Sequence, residues 1–134
     1  MRRLTIATVL LAATASLLAA AASRPPGWLL FEQGKAWADQ GEYGRALQSF
    51  KDAILDAGVM PEADAAIADI YRAEGEFQLA ERHYTRAYNM RNALVVPSEK
   101  YAILLRWAGL YEDQELYGQM ETKLLLVVAD DRWS

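Results

Sequence analysis

The stretch GKAWADQGEYGRALQSFKDA, residues 34–53, is answered 34 positions later by ADIYRAEGEFQLAERHYTRA, residues 68–87. Gly34, Trp37, Gly41, Tyr43, Ala46, Phe50 and Ala53 pair with Ala68, Tyr71, Gly75, Phe77, Ala80, Tyr84 and Ala87. Small residues answer small, aromatic residues answer aromatic, and the glycine between the two halves of each copy recurs. Gly34 and Ala46 suit two antiparallel helices that approach to about 8–10 Å. Trp37, Phe50, Tyr71 and Tyr84 supply large apolar side chains to fill the space between them. Gly41 and Gly75 follow the first helix of each copy, where glycine adopts the left-handed backbone that ends a helix. The spacing Tyr43–Ala46–Phe50–Ala53 draws one apolar stripe along the second helix, and Phe77–Ala80–Tyr84–Ala87 draws it again.

Six helices follow, at about 28–40, 43–57, 61–74, 77–91, 98–113 and 115–129. Pro61 suits the first turn of the third, where its missing N–H is no loss. Gly58 closes the second. A third, degraded copy appears after a six-residue insertion. Aligning Tyr111 with Tyr71 puts Leu104, Trp107, Ala108, Tyr117, Leu124 and Val127 on repeat positions. In this copy Glu115 takes the turn position of Gly41 and Gly75, and Met120 replaces the small alanine. A looser turn and a wider helix pair are expected there. The insertion, Asn92 to Pro97, reads as a loop or an overlong fourth helix, with Pro97 near the start of the fifth.

The period and its small and aromatic positions resemble the tetratricopeptide repeat (TPR) family. The match is close over residues 27–60 and 61–94 and weaker over 101–134. The resemblance implies an all-α, right-handed solenoid of about three helix–turn–helix units, with its binding surface on the first helix of each unit. Carrying over the groove-facing positions gives Phe31, Lys35 and Asp39, then Glu62, Asp69 and Arg72, then Ala102, Arg106 and Gly109. Phe31, Lys35, Asp69, Arg72 and Arg106 are the expected partner-binding residues. The family's clamp for a peptide C-terminal carboxylate is nearly missing. Only Arg106 matches it, and Phe31, Ala66 and Ala102 stand where its polar members would be.

Ahead of the repeats, Met1-Arg2-Arg3 is basic, and Leu4 to Ala22 carries no charge. Ala20-Ala21-Ala22 fits the small-residue rule for signal peptidase. Residues 1–22 therefore read as a cleaved signal peptide or an uncleaved anchor, with residues 4–22 as the tether. In both cases the repeats lie outside the cytoplasmic membrane, in the periplasm or on the envelope, because the positive end stays inside.

Composition narrows the chemistry. The chain has no cysteine and one histidine, which argues against disulfides, a lipid-modified cysteine and thiolate or imidazole metal sites. A formal net charge of −4 with no Lys/Arg cluster argues against nucleic acid as a partner. There is no phosphate loop, zinc spacing or nucleophile elbow, so no enzyme, cofactor or metal is expected. His83 reads as a solvated helix residue. Leu124-Leu125-Leu126-Val127-Val128 is apolar on all sides of a helix and expects cover on more than one, from a continuation of the chain in a longer protein, a homo-oligomer or a capping partner, with simple contact to the fifth helix as the blander alternative. The expected function is a protein–protein scaffold binding a protein or peptide in its groove. A small-ligand accessory module of solute uptake and a self-assembling envelope scaffold are the alternatives.

Overall fold

The computed structural model describes residues 26–131. These form α1 (Gly27–Asp39), α2 (Tyr43–Ala57), α3 (Pro61–Ala73), α4 (Phe77–Asn89), α5 (Glu99–Asp113) and α6 (Tyr117–Asp131). A short 3-10 turn, Arg91–Ala93, follows α4. The helices pack most extensively as consecutive pairs, α1 on α2, α3 on α4 and α5 on α6. Each pair then joins the next, and the first helices of neighbouring pairs also touch, α1 with α3 and α3 with α5.

Each pair is closed by the same three-residue reversal. Gly41 and Gly75 take φ of +76° and +77°. The N–H of Glu42 then bonds the Trp37 carbonyl at 2.9 Å, and that of Glu76 bonds the Tyr71 carbonyl at 2.8 Å. The third turn is not looser. Glu115 adopts φ 58°, and Leu116 N–H bonds the Tyr111 carbonyl at 2.9 Å, as in the other two. The bond pattern dictates the backbone, and a side chain is carried into the left-handed region to satisfy it, at a cost of about 1 kcal/mol. The sixth helix accordingly begins at Tyr117 rather than 115.

Inside the pairs the repeat positions are matched in burial. Ala46, Ala53, Ala80 and Ala87 are inaccessible, and Phe50 and Tyr84 fill the space beside them. Gly34 is required by contact, since a Cβ there would lie 2.5 Å from the Phe50 ring. Phe50 forms one core cluster with Ala46, Ala63, Ile67 and Ile70. Tyr84, Ile103, Leu104, Trp107 and Leu110 form the second, which bridges α3, α4 and α5. Met120 stands half-buried against that second cluster, together with Val127.

The insertion is a loop. Helix α4 stops at Asn89, Leu94 tucks its side chain into the core, and Val95 and Val96 face outward before α5 starts at Glu99. In α6, Leu124 and Val127 are half-buried, while Leu125, Leu126 and Val128 are exposed. No helix among the described residues is long and apolar enough to cross a membrane. The signal or anchor expected in residues 1–22 lies outside the described residues.

The three turns give a direct test of strain. Glu115→Gly should raise the urea-unfolding free energy by about 0.5–1 kcal/mol, because glycine enters the left-handed region without a Cβ clash. Gly75→Ala should lower it by about 1 kcal/mol, although no atom lies within 4 Å of its Cβ. Opposite signs in the two chemical denaturation curves are the expected result.

Candidate functional site

The first helices of the three pairs line one groove of about 640 Å³, with α2 contributing at one end. Its floor is apolar: Phe31, Phe50, Ala66, Ile70, Ala102 and Ile103. Its charged residues are Lys35, Asp39, Glu62, Asp69, Glu99 and Arg106. Phe31 is held against Phe50 with ring centroids 5.7 Å apart, and Lys35 lies over the Phe31 ring at 5.3 Å. Among the sequence-predicted residues, the structure brings Phe31, Lys35, Asp69 and Arg106 to this groove, along with Asp39, Glu62 and Ala102.

Arg72 is elsewhere. Its Nη2 donates to Asp113 Oδ1 at 3.0 Å, and its guanidinium crosses α5 where Gly109 leaves room. A Cβ on Gly109 would lie 2.7 Å from Arg72 Nη1. Arg72 therefore fastens α3 to α5 and borders a smaller recess with Asp69, Ala73, Arg106 and Asp113. Hydrogen bonding to Arg72 holds the Asp113 carboxyl below the usual carboxylate range, and Asp113 in turn raises the arginine. Both groups are partly open to water, so the gain is modest.

Asp69 also has structural work. It accepts a hydrogen bond from the buried Tyr84 hydroxyl and another from Arg106 Nη1 at 2.7 Å. Burial, followed by the negative charge of Asp69, pushes the Tyr84 phenol well above its ordinary value. A groove carboxylate that also satisfies a core hydroxyl cannot report on binding alone. Lys35 is simpler: it pairs with Glu32 at 3.1 Å on the exposed rim.

The expectation that His83 is a solvated residue is overturned. Its Nδ1 lies 3.0 Å from Asp64 Oδ1, and its ring lies 5.6 Å from that of Tyr71. Asp64 is only 1% exposed, and Arg86 Nε stands 3.4 Å from its other oxygen. The cause is a buried carboxylate that needs hydrogen-bonding and cationic partners. The clue was in the repeat: Asp64 takes the position filled by Leu30 and Leu104 in the other units, and His83 and Arg86 are one turn apart on the facing helix. Neither Asp64 nor His83 lines the groove.

No metal-holding group of three or more His, Cys, Asp or Glu side chains occurs among the described residues. No family model matches the chain. An uncharacterized protein of Treponema pallidum (strain Nichols) is 31% identical over 78 residues, which make up 58% of this chain and 21% of that protein. The chain thus spans about a fifth of that relative's length.

Two stability measurements check the polar ties. Asp69→Ala should cost about 1–3 kcal/mol, because it strands the buried Tyr84 hydroxyl. Alkaline pH supplies the second. Burial and the bond to Glu81 push Tyr111 up to about 12, and Tyr84 is raised as well. The unfolded phenols lose their protons first, so this stability is complete below about pH 10 and declines as pH rises through 12. The double variant Tyr84→Phe, Tyr111→Phe should flatten that decline in urea midpoints measured between pH 9 and 12.

Proposed function

We propose that the chain is a TPR-type solenoid acting as a non-enzymatic scaffold outside the cytoplasmic membrane, which binds a protein or peptide segment in the groove of its first helices. One observation carries this reading: three consecutive helix pairs turn their first helices to a single trough, with an aromatic and aliphatic floor and a charged rim. Matched burial of Ala46 with Ala80, Phe50 with Tyr84 and Ala53 with Ala87 supports the TPR resemblance. A groove across repeated helices suits an extended or helical segment, which such units hold along their length. The extracytoplasmic placement rests on residues 1–22 alone.

The test uses a photo-crosslinking amino acid at Lys35 or Glu99 on the groove, and at Arg82 on the exposed side of α4, in the full chain in cells. A heterologous polypeptide joined from the groove positions and not from Arg82 is the expected result. Equal labelling from all three positions, or none, would overturn the reading.

A second reading, self-association through α6, is favoured by the exposure of Leu125 (57%) and Val128 (49%). It expects a concentration-dependent oligomer in sedimentation that Leu125→Glu abolishes. A monomer at all concentrations sinks it.

A further inference from the structure

We infer that the groove takes a polypeptide segment carrying lysine or arginine on both sides of an apolar side chain. This deepens the scaffold reading and rests on it.

The argument is a charge count on the face formed by α1, α3 and α5. Its basic residues are Lys35, Arg72 and Arg106, and each is already occupied by a carboxylate of the chain. Lys35 pairs with Glu32 at 3.1 Å, Arg72 with Asp113 at 2.5 Å, and Arg106 with Asp69 at 2.7 Å. The acids Asp39, Glu62 and Glu99 also line the groove, and no cation of the described residues stands within ion-pair distance of them. Glu62 does accept the Val95 N–H at 2.8 Å, a bond that fixes its position and leaves its charge in place. The trough is therefore negative although its residue list mixes both signs.

The placement of those acids shapes the ligand. Glu62 lies in the first turn of α3 and Glu99 opens α5, whereas Asp39 closes α1. Because each pair reverses direction, the three first helices run the same way. The free carboxylates thus flank the apolar floor of Phe31, Ala66, Ile70 and Ala102 at its two ends. A side chain of Leu or Phe size fits the floor, and a cation on either side of it meets a carboxylate. Charge complementarity of this kind favours a basic segment and rejects an acidic one through repulsion. The same sign disfavours nucleic acid and anionic lipid.

Fluorescence anisotropy of the full chain tests this with three probes: a labelled peptide with two lysines on each side of Leu-Phe, the same peptide with glutamates for lysines, and unlabelled spermidine as competitor. The lysine peptide should bind, more weakly as salt rises. Binding should fall about tenfold in Glu62→Gln, Glu99→Gln, since two partly exposed ion pairs are lost. Gln at 62 retains the acceptor for Val95, and melting curves confirm that the variant is folded. Phe31→Ala should weaken the lysine peptide as well. If the glutamate peptide binds as well or better, the groove stands and the basic class is overturned. Displacement by spermidine at a far lower concentration than by unlabelled lysine peptide overturns the polypeptide segment in favour of a small amine. Lysine-peptide binding that Glu62→Gln, Glu99→Gln leaves unchanged overturns the groove contact. Failure of both peptides removes the groove reading itself.

Discussion

The structure depends on a reversal of chain direction completed in three residues by one left-handed backbone position. Wherever it occurs, a helix with an aromatic residue two positions before its end (Trp37, Tyr71 or Tyr111), whose carbonyl accepts the turn's N–H, is folded back so that the next helix lies antiparallel against it. Antiparallel neighbours joined by so short a connection must share a long contact, and a long contact needs small residues where the axes are closest. Gly34 against Phe50 is the tightest such place. From that constraint the apolar stripes, the buried alanines and the side-by-side first helices all follow. That this geometry overrides local preference is plain at Glu115, where a side chain is tolerated at a glycine position so that the same bond can form.

Joining one pair to the next is a different problem, solved here with polar ties as well as apolar contact. Asp69 with Arg106, Arg72 with Asp113 and Glu81 with Tyr111 each tie the second pair to the third, and the Tyr84 hydroxyl on Asp69 fixes that carboxylate within its own pair. Buried hydroxyls and half-buried ions fix register because each has few acceptable partners. The consequence for function is that several charges on the groove face are committed to holding the pairs together. What stays open in the groove is the remainder: a floor of Phe31 and small aliphatics, and the carboxylates of Asp39, Glu62 and Glu99.

The paired helices and their boundaries were legible in the sequence, because small, aromatic and turn-forming residues recur at spacings that only a helical hairpin explains. The repeat also located Phe31, Lys35, Asp69 and Arg106 on one face, since positions along a regular helix carry direction with them. It failed for Arg72, which shares that face but is long enough to cross to α5 once Gly109 clears the way. His83 was misread from its outward place on the helix wheel, because the partner that claims it is Asp64, a carboxylate at a repeat position that is leucine in the other two units.

Residue type and spacing by themselves thus determined the helices, the two glycine turns and the general sidedness of the molecule, because backbone preference and apolar periodicity are local, whereas the loop at 92–97 and the tight turn at Glu115 were settled by the packing. Tertiary structure alone decided which charges pair, and hence the sign of the groove. Lys35 pairs within its own helix, but Arg106 and Arg72 pair with Asp69 and Asp113, 37 and 41 positions away, and those partners are set by where neighbouring helix pairs come to rest. Composition shows both signs in the groove; only the packing shows that its cations are already neutralised.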